Sequence, residues 1–266
     1  MTSAQKVIKY LAIALAVFLI VTIFGGILRA VGLFGGIFDE DAVAKNLKTY
    51  SVNSDIRDLD IQINAADMSI KQSDKFSVES NLKYLKVEER GGTLTVEETR
   101  KISGTYDHAV LIIYVPAGTV FENVNLNTGA GRLNADNLAA ETLDFDLGAG
   151  NVTIGNLTAT SSAQIDGGTG RITISNGNLR NLDLQMGVGQ LNLTAAVTGN
   201  SQMDLGVGES NINLVGTQAD YALEIEKALG SITVDGKSVS DYDSNGTNPV
   251  KINGGVGSIN VNFQET

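Results

Sequence analysis

The chain has 266 residues and a formal charge of −11, with 30 glycines, two prolines, one histidine and neither cysteine nor tryptophan. Lack of cysteine excludes disulfide frameworks, iron–sulfur clusters, thiolate zinc sites and cysteine nucleophiles, and a lone histidine excludes a multi-histidine metal site within one chain. No Gly-X-Y run occurs, so the glycine is not collagenous, and the composition favours a binding or structural protein over an enzyme.

The segment 1–38 carries Lys6, Lys9 and Arg29 and no acid, a charge of +3, so the rest of the chain sums to −14. The segment 10–28 carries no charge at all. As a helix rising about 1.5 Å per residue it would nearly cross a hydrocarbon core about 30 Å thick. The stretch exceeds the roughly 7–15 apolar residues of a signal peptide, and no convincing A-x-A cleavage site precedes Asp39. An uncleaved transmembrane anchor over 10–33 is therefore expected, with 1–9 cytoplasmic and a linker over 34–49. Lys6 and Lys9 would hold the N-terminus inside, and Asp39-Glu40-Asp41 would emerge outside. The acidic body, 50–266, is then extracytoplasmic on a single-pass protein of the cell membrane.

The body repeats. Seven segments share a glycine-x-glycine or near-equivalent turn, with second glycines at Gly131, Gly150, Gly170, Gly189, Gly208, Gly230 and Gly257. The first five are evenly phased, and the steps to Gly230 and then to Gly257 are progressively longer. Two looser matches place Ala66 and Gly92 at the same position, Gly92 standing two periods before Gly131. Two and four places after each second glycine stand apolar residues, for example Val152 and Ile154 or Leu191 and Leu193, with Thr153 or Asn192 between them. Upstream, Leu126, Phe145, Ile165, Leu184, Met203, Ile225 and Ile252 centre a second alternating segment. Alternation with period two means a strand with one buried face, and glycine suits a corner because it accepts positive φ and close backbone approach. The expected fold is all-β: a single-domain β-solenoid of about 20-residue coils, two strands per coil, with roughly ten coils stacked about 4.8 Å apart. A β-sandwich is the rival, since short strands at regular spacing suit it too.

The strand and turn at 110–118 (VLIIYVPAG), followed by the successive glycine turns, resemble the bacterial putative-adhesin family, the Lia-type envelope domains of β-strand repeats. The resemblance covers about 50–266 and implies an envelope solenoid of adhesive or stress-related function, with no shared catalytic residues. Family members usually carry an acid after the second glycine; this chain has Arg132, Asn151, Arg171, Gln190, Glu209, Ser231 and Ser258 there, and so departs at all but Glu209.

Most chemical motifs fail on their own requirements. A dinucleotide fingerprint needs a third glycine and a helix, but Thr153 and a strand follow Gly150. Calcium-binding nonapeptide repeats need an aspartate where Ile172 and Ile259 stand. Asp241, Asp243 and Asn245 match the first half of an EF-hand loop, making weak calcium binding a candidate, but Ile252 holds the place of the bidentate glutamate. His108 beside Asp107 has no G-x-S-x-G nucleophile elbow to serve.

The acids recur by repeat position instead. Four places before the second glycine come Asn127, Asp146, Asp166, Gln185, Asp204, Glu226 and Asn253; six before come Asn125, Asp144, Gln164, Asp183, Gln202, Glu224 and Lys251. Both positions face outward, so Asp146 and Asp166, and likewise Asp204 and Glu226, are expected one coil apart. Such like charges repel unless a cation intervenes. The strip Asp144, Asp146, Asp166, Asp183, Asp204, Glu224 and Glu226 is thus either a solubilising face or a docking site for cationic peptides or divalent cations. The expected function is a non-catalytic binding or adhesion scaffold at the bacterial envelope, with no cofactor beyond possible calcium and no nucleic-acid partner. Alternatives are an envelope-stress component that captures cationic peptides and a carbohydrate-active β-helix enzyme.

Overall fold

Alternating Leu, Ile and Val with Thr and Asn suits a pleated, half-buried surface, and the described residues are mostly strand. A computed structural model describes residues 47–53, 55–99 and 109–265. Its strands are β1 (Lys48–Ser51), β2 (Asp58–Ser73), β3 (Ser77–Ser80), β4 (Leu85–Arg90), β5 (Thr93–Glu98), β6 (Val110–Pro116), β7 (Phe121–Ile174), β8 (Gly177–Arg180), β9 (Leu182–Thr198), β10 (Ser201–Val215), β11 (Tyr221–Val234), β12 (Lys237–Val239), β13 (Tyr242–Asp243) and β14 (Asn248–Gln264). Among the described residues no helix is long and apolar enough to cross a membrane. The anchor expected over 10–33, most of the linker expected over 34–49, and His108 lie outside the described residues.

The long strands stack in parallel and in register. Ala66 of β2 lies beside Gly131, Gly170 of β7 beside Gly189 of β9, and Gly189 beside Gly208 of β10. This is a solenoid, not a sandwich. The two strands expected per coil run through the glycine corner as one bent strand, so β9 continues from Leu182 past Gly189 to Thr198. Each middle coil also has a short third side that alternation did not reveal: Leu157–Ala159 pair with β8, and β8 pairs with the end of β9.

The inward residues form columns. Leu126, Phe145, Ile165, Leu184, Met203, Ile252 and Ile225 are each at most 1% exposed. Burying a side chain of this size is worth about 1.5–3 kcal/mol, and no single coil could do it without its neighbours.

The stacking order departs from the sequence. β14 pairs with β10 on one edge, Gly208 beside Gly257, and with β11 on the other, Gly257 beside Gly230. The last coil in sequence is therefore inserted between the two before it. Gly92 also falls differently from its expected place. With φ of +90°, it closes a hairpin between β4 and β5, and Leu94 and Val96 lie beside Leu59 and Ile61 on the upstream arm. The first coil is completed by β6, which pairs with the downstream half of β2. Antiparallel strands close both ends: β3 and β1 beyond β6, β4 beyond β5, and β12 and β13 beyond β11. Short antiparallel edges of this kind limit open-ended pairing with other chains.

Candidate functional site

The corners set the geometry of the surface. Gly150 has φ of +150°, and a Cβ there would lie 1.8 Å from the carbonyl oxygen of Gly131. The same approach recurs at Gly131, Gly170, Gly189, Gly208, Gly257 and Gly230, at 1.7–2.1 Å, so the second glycines form a ladder that excludes any side chain. Ala66, which starts the ladder, has no positive φ. The first glycines form a second row: a Cβ on Gly148, Gly168, Gly187, Gly206 or Gly255 would lie 2.1–2.5 Å from a carbonyl of the adjacent coil.

Beside this row runs a groove of about 770 Å³. Its floor is Gly148, Gly168, Gly187, Gly206 and Gly255 with Leu147, Met186 and Leu205, and its wall is Asp146, Asp166, Gln185, Asp204 and Asn253.

The wall row and the row outside it both mix carboxylates with amides. The row six places before the glycines begins with Asp60 beside Asn125. Gln164 lies beside Asp183, Asp183 beside Gln202, Gln202 beside Lys251 and Lys251 beside Glu224. The stacking of Gly131, Gly150 and Gly170 in the glycine ladder places Asp144 between Asn125 and Gln164. In the next row Asn127 Nδ2 donates to Asp146 Oδ2 at 3.1 Å, and Asn253 Nδ2 donates to Asp204 Oδ1 at 2.7 Å. Gln164 and Gln202 donate along their own strands to Asp166 and Asp204, at 3.1 and 2.7 Å. Lys251 Nζ meets Glu224 Oε1 at 2.8 Å, and that carboxylate holds the ammonium above its ordinary range.

Of the two like-charge neighbours expected from the sequence, one forms. Asp146 and Asp166 sit one coil apart, but Asp204 and Glu226 do not, because Asn253 lies between them. The interleaving amides and the place of Lys251 were visible as residue types. What could not be read was the inserted coil that brings 251 and 253 to that level.

The calcium candidates lie at the edge of the last coil. Asp243 is in β13, paired with Glu224 of β11, and Asp241 Oδ1 accepts from Ser240 Oγ at 3.3 Å. Ser244 anchors the loop, donating to Tyr221 O and accepting from Leu223 N. Among the described residues no group of three or more His, Asp or Glu side chains is placed to hold a metal ion.

The face downstream of the glycines is different. Asn211 Nδ2 donates to Asn192 Oδ1 at 3.1 Å, Asn260 Nδ2 to Asn211 Oδ1 at 2.9 Å, and Thr233 Oγ1 to Asn260 Oδ1 at 2.7 Å. This neutral ladder holds coils together through side chains as well as main chain. At its N-terminal end Arg132 pairs with Asp67 at 3.2 Å. Burial pushes the Asp67 carboxyl up and Arg132 partly offsets the rise.

Solved structures with similar chain paths include an adhesin described as "putative" from Parabacteroides distasonis, at 18% identity and TM-score 0.45, covering 80% of this chain and 96% of that one. A "putative adhesin" from Bacteroides fragilis is 13% identical with TM-score 0.41, covering 81% and 98%. A "putative lipid binding protein" from Parabacteroides distasonis is 16% identical with TM-score 0.41, covering 82% and 97%. No curated protein matches the chain. The family model described as Toastrack DUF4097 matches residues 56–263. Because that match takes in nearly the whole repeat region and well over half of the chain, the chain belongs to the Toastrack DUF4097 family, the kinship that its phased glycine turns suggested.

Proposed function

We propose that this protein is a non-catalytic binding scaffold of the bacterial envelope, held at the cell membrane by residues 10–33, that presents its glycine-floored groove to an extended partner. The groove carries this reading. Five successive coils line it with the same backbone floor and a recurring carboxylate or amide wall. A surface that repeats coil by coil suits a partner that repeats or extends along it, as an adhesin's ligand does, better than a substrate needing one unique constellation. Membrane fractionation of the full chain, with and without residues 1–33, tests the anchor: a chain without them that still sediments with membranes argues against it.

A second reading is favoured by Asp146 and Asp166, adjacent carboxylates on the groove wall. A cationic peptide laid along the groove would relieve their repulsion, which fits an envelope-stress component that captures such peptides. Alanine at Asp144, Asp146, Asp166, Asp183 and Asp204 should then abolish binding of a polycationic peptide. Binding to cells or matrix that survives this change, while peptide binding is lost, selects adhesion. Unchanged peptide and calcium binding removes the acidic strip from both readings.

A further inference from the structure

The level occupied by β14 is set apart by Lys251, the one base in the row six places before the second glycines. If β11 stacked directly on β10 in the common glycine register, Gln202 would face Glu224 and Asp204 would face Glu226. β14 interposes Lys251, which pairs with Glu224 at 2.8 Å, and Asn253, which donates to Asp204 at 2.7 Å. In the Asp204 row the two faces of the slot would set acid against acid, and the strand between them relieves that contact with an amide.

Shape agrees with charge. A Cβ at Gly257 would lie 1.7 Å from Gly208 O, and one at Gly230 would lie 1.7 Å from Gly257 O. Only a strand with glycine at this position can enter. Val250, Ile252, Ile259 and Val261 seal the slot at 4% exposure or less, and both edges are paired, the β10 edge from Ser201 beside Val250 to Val215 beside Gln264 and the β11 edge from Tyr221 beside Asn248 to Val234 beside Val261. The link from β11, residues 235–247, lies outside the slot: besides the short β12 and β13 pairings, Asp235 at its start bonds Val261 and Phe263 of β14, and Ser244 near its end bonds Tyr221 and Leu223 of β11. Recognition thus resides in the strand itself and does not depend on which chain delivers it.

We propose that the level between β10 and β11 is a strand-acceptor slot that takes residues 248–264 from a second copy of this chain as well as from its own. A second copy is the fitting occupant because the slot demands glycine at 257, lysine at 251 and an amide at 253 together, and β14 carries all three. The exchange has a consequence for the groove. Asn253, Gly254 and Gly255 line it, so in an exchanged pair each groove is completed by the other copy.

The test uses the full chain in detergent, refolded from urea at rising concentration and then diluted. Dimers whose yield rises with refolding concentration and that persist on dilution are expected; monomer at every concentration overturns the proposal. Because the chain has no cysteine, the seam can be mapped. Asn213 and Asn262 are register partners, as are Asn211 and Asn260, at a separation that accepts a disulfide. Two differently tagged copies, one carrying Asn213→Cys and the other Asn262→Cys, should cross-link to each other on co-refolding, and neither should do so alone. The doubly substituted chain, which closes internally, verifies folding, and the Asn211→Cys and Asn260→Cys pair repeats the test independently. Dimers that lack the mixed cross-link, while the doubly substituted chain closes, also overturn the proposal. Lys251→Glu should reduce the mixed cross-link severalfold.

Discussion

Asn253 stands between Asp204 and Glu226, its Nδ2 donating to Asp204 Oδ1 at 2.7 Å, so two carboxylates that the sequence would stack in contact are held a level apart. Replacing the amide by a carboxylate puts three acids in one column. Asn253→Asp should therefore destabilise the fold by about 1 kcal/mol, measured by urea unfolding at pH 7. The loss should shrink in high salt, which screens exposed charge. Equal stability of the two proteins at low salt would refute the column's electrostatic role.

The glycine ladder makes a sharper distinction. Gly150→Ala combines φ of +150° with a Cβ 1.8 Å from Gly131 O, whereas Gly118 has φ of +80° and nothing within 4 Å. Gly150→Ala should cost about 3 kcal/mol or more, from backbone strain plus overpacking. Gly118→Ala should cost only the strain, about 1 kcal/mol. Similar midpoints for the two variants in chemical unfolding would contradict the close approach.

Glu98 is a buried acid, 8% exposed, whose Oε2 accepts from the backbone N–H of Asn64 at 3.0 Å. It stands where the first coil leaves the stack after β5, before β6 returns at Val110. Glu98→Ala removes that acceptor and should cost about 1–3 kcal/mol. Glu98→Gln keeps an acceptor oxygen and should lose less. Calorimetry of both variants checks the order, and an alanine variant at least as stable as the glutamine variant would show that the acceptor is unimportant.

Asp67 predicts a pH dependence. Burial raises its folded carboxyl above the ordinary aspartate range, Arg132 offsetting only part of the rise. The folded state therefore binds its proton more tightly than the unfolded chain does. The stability this contributes is present below the unfolded value and lost as pH rises through the folded one. Relative to Asp67→Asn, the natural chain should become less stable as pH climbs out of the acid range. A difference in unfolding free energy that stays flat, or that grows in favour of the natural chain, would show that the Arg132 pair outweighs burial.

Much of the body was legible because its constraints are local. The phased second glycines and the inward Leu126, Phe145 and Ile165 columns are properties of single coils, and Ala66 takes the glycine place of its own coil, although its neighbour there, Gly131, did not follow from the spacing. Stacking order is not local. The longer intervals before Gly230 and Gly257 look like loop insertions in the sequence, whereas they carry the chain past one level and back, so that β14 enters between β10 and β11. Gly92 was misplaced for a related reason: its distance from Gly131 suits two periods, but Gly91 and Gly92 both take positive φ and turn a hairpin. The short third side, with Leu157 and Ala159 against β8, is too brief for alternation to register. In the candidate site the acids were read correctly as an outward row, and their amide partners were missed because pairing across coils depends on that same order.

The alternation Asp60, Asn125, Asp144, Gln164, Asp183, Gln202 repeats every second coil, although the glycine ladder beneath it repeats at every coil. This one row therefore has a repeat twice as tall as the backbone's, about 9.6 Å against about 4.8 Å. A lineage that lengthens or shortens this solenoid by a single coil keeps the core but throws the carboxylates out of phase, setting acid against acid at the junction. Changes by two coils preserve both. The length of such a solenoid should thus evolve in paired steps, with the charge pattern rather than the hydrophobic core setting the quantum.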